Sequence, residues 1–212
     1  MTAGRFISFE GGEGAGKSTQ SVRLAAALEA ADHDVVRTRE PGGSPGAEEI
    51  RELLVSGSVD RWQPTTEMML HTAARFEHVS NVVRPALAAQ KWVICDRFHD
   101  STRAYQGFGH GLDIDLIDEQ HRLLFGDFQP DLTIILDIPV AQGIARTQRR
   151  GGDEDRYERM DISFHERLRQ GFLSIAGQEP ARCAVIDAAR DEDAVHGDVI
   201  ACVRDRLAIV LG

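Results

Sequence analysis

The run FEGGEGAGKSTQ, residues 9 to 20, sets Gly11, Gly16, Lys17 and Ser18 at the spacing G-x-x-x-x-G-K-[ST]. An apolar segment, RFISF, precedes it and a helical pattern starts near Lys17, so the spacing predicts a loop between a strand and a helix. Glycines let such a loop fold with its backbone N–H groups turned inward, at the positive end of the helix dipole. The cradle comprises Gly11, Gly12, Glu13, Gly14, Ala15, Gly16, Lys17, Ser18 and Thr19. Lys17 is expected to reach the β and γ phosphates of a nucleoside triphosphate, and the Ser18 hydroxyl to ligate Mg2+. Glu13 is the unexpected member, a fixed negative charge inside an anion site.

A second group lies in WVICDRF, residues 92 to 98, which sets Asp96 and Arg97 at the carboxyl end of a strand. Ligands of open α/β sheets bind at that edge. Asp96 could hold the magnesium, directly or through water, and Arg97 could grip a second phosphate; a plain strand-end ion pair is the structural alternative. Two phosphate sites at one sheet edge suggest transfer between two nucleotides. The segment RRGGDEDRYE, residues 149 to 158, is too charged and glycine-rich for a core. By itself it reads as a solvated loop. In a phosphate-transfer domain it reads as part of a lid, about 146–158, that brings Arg149, Arg150 and Arg156 over the transferring group and expels water. A guanine-reading switch would carry N-K-x-D, yet Asn81 is the only asparagine and two valines follow it.

Positioning these groups requires strands spaced by helices. Apolar runs at 5 to 9, 34 to 38, 91 to 95, 131 to 138 and 183 to 187 predict five strands. Helices are expected at about 17–31, 45–56, 64–90, 113–126, 139–150, 160–178 and 191–209, with Pro85 kinking or splitting the third. Helix-length connections imply a parallel sheet, hence a three-layer α/β fold in a single domain spanning 1–212. Neither a repeat nor a linker rich in Gly, Pro or Ser marks a second domain.

Composition narrows the partners. The net charge of −10 disfavours coating nucleic acid or anionic lipid. Only Lys17 and Lys91 are lysines, so nearly every cation is an arginine, the side chain that forks onto phosphate oxygens. Cys95, Cys183 and Cys202 are few, distant and set in apolar stretches, as expected of free thiols in a reducing compartment. Without an 18-residue apolar run or a signal-like N-terminus, the expected address is the cytoplasm. Scattered histidines and cysteines argue against a zinc site.

The cradle EGGEGAGKST, then TREPGGS (38 to 44), TAARFEHV (72 to 79), CDRF (95 to 98), DSTRAYQGFG (100 to 109), DLTIILDIP (131 to 139) and DRYE (155 to 158) resemble, in order, the landmarks of bacterial thymidylate kinases. The resemblance implies transfer of the γ-phosphoryl of ATP to thymidine monophosphate (dTMP) with Mg2+, on a parallel sheet wrapped in helices, in a homodimer. It further implies that Arg97, helped by Arg39, binds the acceptor's 5′-phosphate, and that Arg75 reads a thymine carbonyl. Thr102 and Gln106 would read the remaining base edge, Ser101 would join the substrate site, Tyr105 would sit near the sugar, and Pro41 with Leu53 would form an apolar wall. Glu13 would face the acceptor's 3′-hydroxyl or order a metal-bound water, unless it is an outward loop residue paired with a lid arginine. One departure stands out: many members carry a base-stacking phenylalanine where this chain has His71, one helical turn from Arg75 and able to titrate near neutral pH. Two rivals share the motifs: a kinase of the same architecture acting on another nucleotide or deoxynucleoside, and an ATP-responsive regulator that transfers nothing.

Overall fold

The computed structural model describes residues 4–150 and 156–211, with the side chains of Arg149 and Arg150 outside that description. Its sheet is built from β1 (Phe6–Glu10), β2 (Val35–Arg39), β3 (Trp92–Asp96), β4 (Leu132–Asp137) and β5 (Cys183–Asp187), in the order β2-β3-β1-β4-β5. Every pairing is parallel. The strand bounds lie within a residue or so of the apolar runs, because buried parallel strands read as short continuous apolar segments.

Alternation along each strand assigns the layers. Ile7 and Phe9 of β1, with Ile134 and Leu136 of β4, pack on Leu24 and Leu28 of α1 (Lys17–Ala30) and on Val195, Val199 and Val203 of α9 (Glu192–Leu207). The opposite face carries two clusters. Phe6, Val93 and Cys95 meet Val83, Phe98 and Phe125, while Ile135 meets Phe164, Leu168 and Phe172 of α8 (Ile162–Gln178). The remaining long helices are α2 (Pro45–Val55), α3 (Pro64–His78), α6 (Ile114–Phe125) and α7 (Val140–Arg150).

One segment is interrupted as Pro85 leads one to expect, and one departs from expectation. The helix expected over 64–90 runs from α3 through a wide π-type turn, Val79–Val83, into α4 (Arg84–Ala88), whose first turn accepts Pro85. The widened turn relieves the clash a proline would make with the preceding carbonyls. Residues 99–109, for which no helix is expected from the sequence, form α5 (His99–Thr102) continuing into a π-type turn, Arg103–Gly109. Their composition of Ser, Thr, Gly and aromatics lacks a 3.6-residue apolar period; packing against α8 decides the conformation. Parallel strands all end on one edge, so Glu10, Asp96 and Asp137 gather there.

Candidate active site

Gly11 (φ +131°) and Gly14 (φ +68°) shape the cradle, and a Cβ on Gly14 would stand 2.1 Å from the Gly143 carbonyl oxygen of α7. Only glycine fits there. The Lys17 ammonium donates to the carbonyls of Gly11 (3.1 Å) and Gly12 (2.8 Å). Burial lowers its pKa to about 8, as does the nearby Arg97 charge, against the opposing pull of Glu13 and Asp96. Ser18 Oγ donates to Asp96 Oδ2 at 2.5 Å, so the two oxygens expected at magnesium are adjacent.

Arg97 follows β3 with φ +74°, a left-handed conformation that costs a non-glycine residue on the order of 1–3 kcal/mol. Its guanidinium donates to Gly11 O and Ser101 Oγ (3.1 Å each) and to Glu13 Oε1 (3.0 Å), and stacks 4.8 Å above the Tyr105 ring. The Tyr105 hydroxyl donates to the same Glu13 oxygen at 2.5 Å. Burial raises the Glu13 pKa, but Arg97, Lys17 and this hydroxyl outweigh it and hold the group at about 2. The outward pairing of Glu13 with a lid arginine is therefore replaced by an inward one with Arg97.

Arg75, 3% exposed, is locked by Glu40 Oε2 (2.7 Å), the Phe98 carbonyl (3.1 Å) and Thr102 Oγ1 (2.9 Å). Glu40 stands between Arg39 and Pro41 in TREPGG, yet the sequence reading gave it no role. Its other oxygen pairs with His78 Nδ1 at 2.9 Å, and it thereby orients Arg75. Gln106 donates to Glu67 at 2.8 Å. Arg39, Pro41, His71, Arg75, Arg97, Ser101, Thr102, Tyr105 and Gln106 all line one cleft of about 460 Å3, with Glu13, Lys17, Ser18 and Asp96.

Two expected members do not join it. Leu53 is 39% exposed and lines no part of the cleft; Arg51 and Val55, one turn apart on α2, supply that wall. The register is set by Leu54, which is fully buried and turns Leu53 outward. Arg156 is a correction of greater weight. Expected over the phosphates, it is completely buried, donating to the carbonyls of Leu54, Ser58 and Val59 and pairing with Glu67 at 2.5 Å. It straps this point of the chain to the end of α2 and the turn that follows it. The side chains of the other two expected lid arginines, Arg149 and Arg150, lie outside the described part of the structure.

His71 also departs from expectation. Its Nε2 is hydrogen-bonded to the Tyr157 hydroxyl at 2.9 Å, and burial lowers its pKa to about 4, so the ring is neutral across the physiological range. His99 and His121, stacked 3.9 Å apart, are likewise depressed by burial, His121 to about 3. Glu10 shifts the other way, to about 8, through burial and the neighbouring Asp100. These shifts predict an acid-sensitive fold. Between pH 6.5 and 5 the unfolded chain protonates three histidines that the folded chain keeps neutral, while only the folded chain holds the Glu10 proton. Two protons more on the unfolded side give a loss of up to roughly 2–3 kcal/mol per pH unit as pH falls. Urea titrations at pH 7, 6 and 5 check this; a midpoint that holds or rises on acidification contradicts it.

A second cavity, about 270 Å3, opens on the other side of the cradle, lined by Gly14, Gly16, Thr19, Gln20, Arg146, Arg190 and Glu192. Arg146 Nη1 donates to the Ala188 carbonyl at 3.0 Å, holding α7 against the strand end. Arg146 and Arg190 escaped the sequence reading, since an arginine in a helix or turn carries no local mark of what it faces. Gly14, Gly16 and Thr19 line both cavities, so the cradle is their shared wall.

Comparison with known proteins places this geometry in context. The family profile described as thymidylate kinase matches residues 9–199. The chain is 56% identical over 209 residues to the thymidylate kinase of Caulobacter vibrioides, covering 99% of this chain and 100% of that one. It is 53% identical over 206 residues to the thymidylate kinase of Bradyrhizobium diazoefficiens, covering 96% and 90%. The crystal structure of thymidylate kinase from Ehrlichia chaffeensis superposes with a TM-score of 0.77 at 38% identity, covering 95% of this chain and 99% of that one.

Proposed function

We infer, from the premise that this chain belongs to the thymidylate kinase family, that it is an enzyme phosphorylating dTMP to the diphosphate, a step toward dTTP. The donor we propose is ATP, with its base in the 270 Å3 cavity beside Arg146 and its γ-phosphate in the cradle; dTMP occupies the 460 Å3 cleft. The supporting observation is the sharing of one phosphate loop by two cavities, with Lys17 on the loop and Arg97 on the acceptor side.

The acceptor is already an anionic phosphate, nucleophilic without a dedicated base, so the chain's task is neutralisation and alignment. Arg97 holds the acceptor phosphate in line with the donor, Lys17 offsets donor charge, and Arg39 adds a second cation at the cleft mouth. Arg149 and Arg150 at the end of α7 are proposed to complete the shell. Ser18 and Asp96, adjacent hard oxygens, suit Mg2+, which takes one or two protein ligands together with substrate phosphates. Bound there, the ion would neutralise phosphate oxygens. Arg75 and Thr102 would read the thymine edge. Among the described residues Arg97 and Tyr105 both donate to Glu13 Oε1, and we propose that Oε2 meets the acceptor's 3′-hydroxyl.

A coupled ADP-release assay over a panel of nucleoside monophosphates, with Mg2+ and with chelator, tests the scheme. Turnover with dTMP that chelator abolishes supports it. Equal turnover with other monophosphates favours a different kinase, and none at all favours a regulator. His71→Phe is expected to tighten dTMP binding about threefold, by adding stacking area. The lost bond to Tyr157 weakens free and bound protein alike, so it does not count against affinity. Weaker binding by titration calorimetry refutes the stacking assignment.

We further propose a homodimer. Met69 and Phe76 on α3 and Leu116, Leu123 and Leu124 on α6 are exposed, and Thr72 to Gln120 joins the two helices at 2.9 Å. A second copy would cover this apolar face. No helix among the described residues is long and apolar enough to cross a membrane. The three cysteines are free, in keeping with the cytoplasmic address we propose.

A further inference from the structure

β1 ends in Glu10, a completely buried carboxyl to which the transfer scheme gives no task. Its two oxygens take two donors from the turn after β3. Phe98 N–H donates to Oε1 at 2.7 Å, and the Ser101 hydroxyl donates to Oε2 at 2.5 Å. Ser101 Oγ in turn accepts from Arg97 Nη1 at 3.1 Å. Arg97 precedes Phe98 and carries the left-handed backbone, so a strained residue is pinned immediately after itself and again through its own side chain.

We propose that Glu10 is a positioning residue for the acceptor-phosphate clamp: it grips the Arg97–Ser101 turn at two points and, through the Ser101 hydroxyl, sets the direction of the Arg97 guanidinium. This rests on the assignment of Arg97 to the acceptor phosphate made above. Among the described residues the other hydrogen-bond tethers of the Arg97 side chain come from the cradle, Gly11 O and Glu13 Oε1. Glu13 competes with any incoming anion for Nη2, so that tether yields as phosphate arrives. Ser101, itself held by Glu10, engages Nη1, so its bond does not draw on the nitrogen that Glu13 would vacate. The left-handed conformation aims the side chain back over the cradle; Glu10 keeps it there in a region of backbone space that a free arginine leaves.

Glu10→Leu keeps the volume and removes both acceptors, whereas Glu10→Gln offers a carbonyl oxygen to Phe98 N–H and an N–H to Ser101 Oγ. In steady-state kinetics Glu10→Leu is expected to raise the KM for dTMP about tenfold, leaving the KM for ATP unchanged and kcat within about threefold. Glu10→Gln should stay near the parent values. The double variant Glu10→Leu/Ser101→Ala should be no worse than Glu10→Leu alone, because both cut one chain of bonds. An unchanged dTMP KM in Glu10→Leu, equal rises in both KM values, or effects that multiply in the double variant would each overturn the inference. If Glu10→Leu does not fold, Glu10→Asp, one methylene too short to reach both donors, carries the same expectation at about fivefold, and an unchanged dTMP KM overturns it. Arg97→Ala separates the two levels. An unchanged dTMP KM there removes the clamp itself, and a raised one beside an unaffected Glu10→Leu removes only the part assigned to Glu10.

Discussion

Lys17→Met is expected to lower turnover about a thousandfold, close to 4 kcal/mol of transition-state stabilisation, while leaving fold stability within about 1 kcal/mol. The asymmetry follows from the setting of the ammonium. Lys17 is 7% exposed, and its charge is disfavoured by burial and by Arg97 beside it, which is why its pKa falls to about 8. The folded protein gains little from such a charge; its two bonds are to carbonyls of a loop that glycine geometry already shapes. Replacing a buried cation with an apolar chain of similar length relieves desolvation and roughly offsets the lost bonds. In the proposed reaction the balance reverses, because negative charge would spread over phosphoryl oxygens beside it. Single-turnover rates under saturating nucleotides, set against urea denaturation of the same variant, measure both terms. A variant that unfolds in proportion to its loss of rate would show that Lys17 is a structural cation.

Arg156→Ala reverses the pattern: a loss of about 3–5 kcal/mol of stability, near 10 °C in Tm, with kcat within about threefold at a permissive temperature. No water reaches Arg156, and its fork of donors satisfies three carbonyls at the end of α2 and in the turn that follows it. Truncation leaves those carbonyls and the buried Glu67 carboxylate without their cation. Glu67 is held at about 2, with burial pushing it up and His110, His71 and Arg156 overcoming that push. Arg156→Lys should rescue little, because an ammonium cannot span the same fork. Glu67→Gln in the Arg156→Ala background should recover part of the loss, since an amide needs no counter-charge. A variant with parent stability and a hundredfold lower kcat would return Arg156 to the phosphates.

Chemistry carried by neighbours in the chain was legible without the fold. The glycine, lysine and serine of the cradle, and Asp96 with Arg97 after an apolar strand, are fixed by spacing. The central strands β1, β3 and β4 announced themselves because a strand buried on both faces is largely apolar, the half-exposed edge strands β2 and β5 kept shorter apolar runs, and helix-length gaps between all five leave a parallel sheet as the economical solution. Long-range pairing was not legible. Whether the arginine of DRYE meets phosphate or Glu67 depends on where α3 comes to rest, and whether Leu53 or Val55 faces the cleft depends on which side of α2 buries Leu54. Glu10 reads as one more polar strand end until β3 lies beside β1 and carries Phe98 and Ser101 to its carboxyl. A side chain's type and local spacing fix what it can do, because those are properties of the covalent chain; which partner it does it with is decided by the sheet order, which joins residues nearly a hundred positions apart.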